Sequence, residues 1–268
     1  MSYVGGKSNG ADHILEVLNH EAFDGLPYVE PFVGYAHILR RVTNKKSYKA
    51  SDDNCLLVLL LQAVQAGKKL PVIASQQAYD VQRREFDDNR PPTLKQAVAA
   101  FTYSYNGKMF GGYTPSYTTR DGKITRCPPE ERRRYYERLR TTESFQRASL
   151  RCVDYEAMTP SANSQPCLIY CDPPYASTLG YGRASNDAFD HDRFWQVVRK
   201  WSKTHVVFVS EYSAPPDFHV VCERHKHLSI TGKGNTEVRT ERLFAHTSCD
   251  ALVKSLVKNS KRRAAKTS

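Results

Sequence analysis

The stretch Cys167-Leu168-Ile169-Tyr170-Cys171-Asp172-Pro173-Pro174-Tyr175 decides how this chain folds. Its first five residues form a short apolar run bounded by turn residues, which predicts a buried strand. Two consecutive prolines end that strand abruptly, because proline has no N–H and its ring fixes φ. A carboxylate, two rigid carbonyls and an aromatic ring are therefore presented together at the carboxyl end of the strand. In open α/β sheets, ligands bind at this edge.

The chemistry of this turn suits a planar group that bears an exocyclic amine. The Asp172 carboxylate and a proline carbonyl can accept both N–H hydrogens of such an amine, and the Tyr175 ring can stack on its face. The alternative is an ordinary turn at the end of a strand, since Asp, Pro and Tyr are common in turns. Both interpretations stay open on this stretch alone.

A second pattern of strand and turn lies in the N-terminal third. Residues 28–36 predict a strand, a tight turn at Gly34 and the start of a helix, and residues 48–54 predict a second strand that ends in acid. The acid follows the turn by about 20 residues, which is the spacing found in nucleotide-binding folds. There the glycine turn lets the backbone approach the ligand, and the carboxylate binds the ribose hydroxyls. Gly34 is a lone glycine, which gives little support to a phosphate cradle.

The charge of the whole chain favours a polyanionic partner. Its 268 residues include 39 Lys and Arg against 28 Asp and Glu, a formal net charge of +11. A merely soluble basic protein and a protein that binds an acidic membrane surface are the alternatives. No run approaches the roughly 18 apolar residues of a spanning helix, and the opening residues lack the apolar core of a signal peptide. These features predict a cytoplasmic protein with no membrane segment.

The cysteine pattern predicts neither a metal site nor disulfides. Seven cysteines are scattered along the chain, and no histidine or second cysteine pair completes a zinc site around Cys167 and Cys171. We expect small, buried and reduced side chains.

An α/β rhythm occupies residues 1–64 and 146–257, and residues 65–145 interrupt it. The interrupting block is rich in Gly, Tyr and Arg, and its glycine-rich residues 104–127 predict a loop. Such a composition suits nucleic acid, because cations hold phosphates and aromatic rings stack on unpaired bases. The alternative is that the tyrosines pack on the helices of the block itself. Residues 258–268 are basic, small and polar, which predicts a disordered tail.

Taken in order, four motifs resemble those of the Dam-type (D12 class, α group) DNA adenine-N6 methyltransferases: Gly5-Gly6-Lys7, Glu30-Pro31-Phe32-Val33-Gly34, Asp52-Asp53-Asn54 and Asp172-Pro173-Pro174-Tyr175. Weaker matches are Tyr105-Asn106-Gly107, Val153-Asp154-Tyr155 and the stretch 239–244. The resemblance spans residues 1–248. It implies a Rossmann-like, S-adenosylmethionine-dependent methyltransferase sheet with a mostly helical, loop-containing target-recognition insert at 65–145.

The resemblance also implies the roles of the site residues. Asp172, Pro173, Pro174 and Tyr175 would grip a flipped adenine. S-adenosylmethionine would be bound by a set of residues from the first half of the catalytic fold and from the loop after a later strand: Tyr3, Lys7, Pro31, Phe32, Gly34, Asp52, Asp154 and Tyr155. Asp53 competes with Asp52 for the ribose hydroxyls, and the register of the motif favours Asp52.

Two departures from the family pattern bear on the cofactor and on DNA. The second glycine of the family turn is Ala36 here, with Tyr35 before it. Members that read GATC carry Asn-Gly-Leu-x-Arg, whereas this chain has Asn106-Gly107-Lys108-Met109-Phe110, so we expect a different, short or relaxed site in double-stranded DNA. The predicted DNA contacts are Asn106, Lys108, Phe110, Arg132, Arg133 and Arg134. An N4-cytosine methyltransferase, an RNA adenine methyltransferase and an inactive DNA-binding relative remain alternatives.

Overall fold

The computed structural model describes residues 11–87, 90–115, 117–118, 124–160, 165–175, 189–229 and 236–255. Its strands are β1 Pro27–Glu30, β2 Ser47–Asp52, β3 Tyr117–Thr118, β4 Ile124–Arg126, β5 Ala148–Cys152, β6 Leu168–Cys171, β7 Val206–Glu211, β8 Phe218–Ser229 and β9 Thr236–His246. Its α-helices are α1 Asp12–Leu18, α2 Cys55–Gln65, α3 Gln76–Glu85, α4 Leu94–Thr102, α5 Pro128–Arg140, α6 Glu143–Gln146 and α7 His191–Ser202. Short 3₁₀ helices cover Glu21–Phe23, Leu39–Arg41, Tyr105–Gly107, Tyr155–Met158 and Thr247–Cys249.

Within the described residues, seven strands form one sheet in the order β5-β2-β1-β6-β7-β9-β8. The five strands from β5 to β7 run parallel, and β9 is antiparallel to both β7 and β8. The chain moves outward from β1 to β2 and β5, then returns to place β6 on the other side of β1. This reversal creates a switch point between β1 and β6, where open α/β sheets bind ligands. The predicted Rossmann-like fold is confirmed.

The alternation of side chains along β6 divides the core between the two faces of the sheet. Leu168 and Tyr170 join the cluster that includes α2, while Ile169 and Cys171 join the cluster beneath α7. All four residues are buried, as expected for a central parallel strand covered by helices on both faces. The strand predicted from the apolar run 167–171 is therefore confirmed as β6, and α7 covers it.

The inserted block shares its core with the catalytic sheet. Side chains from α3, α4 and α5 lie in the same apolar cluster as side chains of α2 and β1: Tyr79, Phe101, Leu139, Leu60 and Tyr28. A capping box between Thr93 and Gln96 begins α4, and α5 begins with a proline in its first turn. The block contains the helices α3, α4 and α5, and it packs on the sheet through α2.

Two local expectations are wrong. Between Gly34 and β2, a segment that the structure describes in full, the chain forms turns and the 3₁₀ helix Leu39–Arg41, and the predicted α-helix is absent. Gly34 and Ala36 adopt φ values of 47° and 58°, in the left-handed region, which a right-handed helix excludes. Residues 104–127, expected as a loop, contain the 3₁₀ turn Tyr105–Gly107 and the short pair β3–β4.

The cysteine expectation is wrong for one pair. Cys55 at the start of α2 and Cys152 at the end of β5 form a disulfide, with their Cα atoms 5.1 Å apart. The two cysteines meet because β2, which leads into α2, pairs with β5, and this pairing sets Asp52 opposite Cys152. Cys167, Cys171 and Cys249 are buried thiols, as expected. In the part of the chain that the structure describes, no cluster of His, Cys, Asp or Glu could hold a metal ion, and no helix is long and apolar enough to cross a membrane.

The three adjacent arginines of α5 have different environments, which corrects their predicted common role. Arg132 is 6% exposed, and its Nη1 donates to the Thr102 carbonyl at 2.6 Å. Arg133 donates from Nη2 to the Pro71 carbonyl at 2.7 Å, and its guanidinium lies over the Tyr103 ring. Arg134 is exposed. Two of the three guanidinium groups therefore hold the insert together, and Arg134 is the one that faces solvent.

We predict that Arg132→Ala lowers the free energy of unfolding by about 2 kcal/mol. The substitution removes a charged donor and leaves the buried Thr102 carbonyl, at the end of α4, without this hydrogen bond. Arg134→Ala on the same helix is the matched control, and as an exposed substitution it should change that free energy by less than about 0.5 kcal/mol. Urea unfolding of both variants measures the difference. Equal stabilities would contradict the structural role of Arg132.

Candidate active site

Two strand ends meet at the switch point of the sheet. The pairing of β1 with β6 sets Val29 opposite Ile169, so that Glu30 and Asp172 follow at the same edge. Glu30 is 2% exposed, and its Oε2 accepts from the Tyr28 hydroxyl at 2.7 Å. Burial raises the pKa of Glu30 well above its usual range, and the negative charge of Asp172 adds to that shift. A cationic ligand at this edge would relieve the unfavourable charge.

The turn after β1 is held by the carboxylate at the end of β2. Oδ2 of Asp52 accepts from the Gly34 N–H at 3.0 Å, and Oδ1 accepts from the Asn54 N–H at 3.0 Å. Among the described residues, no atom lies within 4 Å of the position that a Cβ on Gly34 would occupy. The Gly34 backbone thus borders open space, and Asp52, the acid that the sequence motif favours, sets the shape of the turn. Asp53 is exposed beside it.

Aromatic packing places the predicted cofactor residues of two loops side by side. The rings of Phe32 and Tyr155 stack with their centroids 5.3 Å apart, and burial raises the pKa of Tyr155 to about 12. Asp154 is exposed at the carboxyl end of β5, where its Oδ1 accepts from the Glu156 N–H at 2.8 Å. The Pro31 carbonyl accepts from the Ser51 hydroxyl. Tyr3 and Lys7 lie outside the described residues, so their cofactor roles stay predictions.

The Asp-Pro-Pro-Tyr turn follows β6, as its sequence predicts. Asp172 is half-buried, and Pro173 is buried behind it. The Tyr175 hydroxyl donates to Oε1 of Glu241 at 2.6 Å, and its ring meets the Tyr212 ring edge-on at 4.7 Å between centroids. Burial, with the charges of Asp172 and Glu241, raises the pKa of Tyr175 well above its usual range. The phenol is therefore neutral and fixed in orientation.

Two buried acids at this edge were not among the predicted site residues. Glu241 lies on β9 and is 1% exposed, and Glu211 ends β7 and is 2% exposed. Glu211 follows the apolar run Val206-Val207-Phe208-Val209, the same pattern of strand and acid that marks Asp172, and that signal would have found it. Together with Glu30 and Asp172, these residues make the edge acidic, although the chain as a whole is basic. An acidic edge suits a cation and does not suit a phosphate.

The loop Tyr105–Phe110 borders the same edge. The Tyr35 hydroxyl, in the turn after β1, donates to the Gly107 carbonyl at 2.9 Å. Tyr105 is 55% exposed, and Lys108 is also exposed. Phe110 points inward, where its ring packs on Phe86 and Tyr79 at centroid distances of 5.5 and 6.1 Å. Phe110 is partly buried by these contacts, and its role in reading bases stays a prediction. Asn106 is partly exposed, with φ of 50°.

A Rossmann-like sheet that carries an Asp-Pro-Pro-Tyr turn at its switch point, beside a turn braced by an acid, defines a methyltransferase. The family model of the D12 class N6 adenine-specific DNA methyltransferases matches residues 3–233. The chain therefore belongs to this family of adenine-specific DNA methyltransferases.

Solved structures with a similar fold are remote. The rRNA methyltransferase aviRa from Streptomyces viridochromogenes shares 13% identity at a TM-score of 0.40, with 94% of this chain and 90% of that chain covered. An rRNA methylase from Streptococcus thermophilus shares 9% identity at a TM-score of 0.34, with 90% and 99% covered. None of the curated proteins matches this sequence.

We predict that Glu241→Leu slows methyl transfer about tenfold, because the Tyr175 hydroxyl loses a charged acceptor. Glu241→Gln keeps an oxygen at the same place and should retain most of the rate. Single-turnover methyl transfer measures both variants, and Tyr175→Phe tests whether the loss acts through the hydroxyl. Equal rates for the Leu and Gln variants would show that the hydrogen bond is irrelevant to the reaction.

Proposed function

We propose that the protein transfers a methyl group from S-adenosylmethionine to the N6 amino group of adenine in DNA. The observation that carries the proposal is the juxtaposition of two turns at the switch point: the Asp172 turn after β6 and the Gly34 turn after β1, which Asp52 braces. The Asp172 turn offers hydrogen-bond acceptors to an amino group, and the Gly34 turn borders open space beside the Asp52 carboxylate.

The residues at the edge fit the proposed methyl donor. S-adenosylmethionine supplies an electrophilic methyl group on a positively charged sulfur. Buried Glu30 and half-buried Asp172 make their surroundings favourable for such a cation. Each carboxylate oxygen of Asp52 accepts one backbone N–H and can accept a second hydrogen bond, so Asp52 would also bind the ribose hydroxyls. Phe32, which stacks on Tyr155, would border the adenine of the donor.

The Asp172 turn would prepare the target amine. The lone pair of adenine N6 is delocalised into the ring, so the nitrogen is a poor nucleophile. Hydrogen bonds from both N6 hydrogens to the Asp172 carboxylate and the Pro173 carbonyl favour a more tetrahedral nitrogen with an available lone pair. The nitrogen loses a proton as it gains the methyl group, and the Asp172 carboxylate would receive that proton. Positioning and fixed electrostatics provide most of the acceleration.

The base would be held by Tyr175 after it leaves the helical stack, since an enzyme cannot reach an amino group inside a duplex. The Glu241 contact and the Tyr212 ring fix the Tyr175 side chain before the base arrives. Exposed Tyr105 is suited to stack on a base at the recognition loop, and exposed Lys108 and Arg134 are suited to contact phosphates.

We predict that Asp172→Ala lowers the rate of methyl transfer at least about 100-fold, the loss typical of one preorganised electrostatic contact, with little change in thermal stability. Radiolabel transfer from S-adenosylmethionine to duplex DNA, RNA and adenine-free DNA is the measurement. Near-parental activity of the variant would overturn the role of Asp172. Transfer to RNA alone, or to adenine-free DNA, would replace the proposed substrate with RNA adenine or with cytosine.

We predict that Asp52→Ala weakens binding of S-adenosylmethionine about tenfold or more, the equivalent of one lost charge-assisted hydrogen bond. Asp53→Ala, the exposed neighbour, is the matched control and should bind as the parent does. Calorimetric titration compares the three proteins, and duplex DNA is the second ligand, whose affinity should change less. A loss confined to Asp53→Ala would move the ribose contact to that residue.

A further inference from the structure

Tyr35 joins the turn after β1 to the recognition loop through buried hydrogen bonds. Its side chain is 3% exposed, and its hydroxyl donates to the Gly107 carbonyl at 2.9 Å. Its own carbonyl accepts from the Tyr135 hydroxyl at 2.7 Å. The partners are 72 and 100 residues distant in sequence, so tertiary folding alone creates these contacts.

The surroundings of Tyr35 leave its ring little freedom. Its ring meets Phe101 edge-on at a centroid distance of 6.0 Å and lies nearly parallel to His37 at 6.2 Å. His37 packs in turn on the Tyr135 ring at 4.9 Å. Burial lowers the pKa of His37 to about 3, so this neighbour is neutral near pH 7 and supports Tyr35 by packing. A rigid aromatic side chain held in this way transmits a displacement at one end to the other.

Each end of Tyr35 lies in a turn with unusual backbone geometry. On one side, Gly34 and Ala36 flank it with φ of 47° and 58°, and the Gly34 N–H is bound by Asp52. On the other side, Asn106 and Gly107 have φ of 50° and 67°. Left-handed backbone allows few alternative conformations for residues other than glycine, so neither turn can adjust freely when the other moves.

We propose that Tyr35 is a positioning residue that couples the cofactor turn to the DNA-recognition loop. This inference rests on the proposed function and extends it. A ligand that orders the Gly34 turn also orders Gly107 through the phenol, and the neighbouring exposed Tyr105 and Lys108 are then held ready for DNA. Because coupling between two binding sites is reciprocal, DNA on the loop strengthens cofactor binding by the same factor.

The test measures the coupling factor, defined as the ratio of the dissociation constants for S-adenosylhomocysteine without and with saturating adenine-containing duplex. Titration calorimetry gives both constants for the parent protein, Tyr35→Phe and a control, Tyr48→Phe. Tyr48 is also a buried tyrosine whose hydroxyl accepts one hydrogen bond, from the Lys45 N–H at 3.3 Å. Its ring contacts Tyr28 and Arg147, and within the described residues it makes no hydrogen bond to either turn. Tyr35→Phe keeps the ring and removes the hydroxyl that donates to the Gly107 carbonyl.

We expect a coupling factor of about five or more in the parent, the same value in Tyr48→Phe and a value near one in Tyr35→Phe. A merely structural hydrogen bond would lower stability in Tyr35→Phe and leave the coupling factor unchanged, which would overturn the inference. A coupling factor of one in the parent would overturn it as well.

Two further outcomes separate this inference from the proposed function. If the parent protein binds neither S-adenosylhomocysteine nor duplex DNA, the proposed function itself fails. If Tyr35→Phe does not fold, Tyr135→Phe removes the second bond to Tyr35 and should lower the coupling factor at least twofold. A parental coupling factor in Tyr135→Phe would then count against the role of Tyr35.

Discussion

The parallel pairing of β1 with β6 is the constraint on which the active site depends. It sets Val29 opposite Ile169, so the two strands end at one edge and their turns face the same crevice. Both strands are buried, and a slip of one residue would exchange their two faces. Sheet hydrogen bonds and core packing therefore fix the position of the Gly34 turn relative to the Asp172 turn.

Two electrostatic environments of opposite sign coexist in this chain. The net charge is +11, and exposed cations such as Lys108 and Arg134 lie on the inserted block. The strand ends, in contrast, carry the buried carboxylates of Glu30, Glu211 and Glu241. Surface charges are screened by salt, whereas buried charges act over short distances in a medium of low polarity. A basic exterior for a polyanion is thus compatible with an acidic crevice for a sulfonium donor.

The inserted block belongs to the catalytic unit and is not an independent attachment. Its helices bury their apolar faces in the same cluster as α2 and β1. Arg132 and Arg133 donate to backbone carbonyls inside the block, which explains why they are not available at its surface. The hydrogen bond from Tyr35 to Gly107 then connects the loop Tyr105–Phe110 directly to the Gly34 turn.

The sequence by itself determined the features that depend on local chemistry: two prolines follow β6, Gly34 marks a turn, and the acid Asp52 ends β2. It also determined the family, because the motifs occur in order. The tertiary structure alone decided which side chains face inward, including Arg132 and Phe110, and which distant groups meet, including Cys55 with Cys152 and Tyr175 with Glu241. Local patterns specify φ, strand and turn, whereas burial and pairing depend on partners that the folded sheet brings from far along the chain.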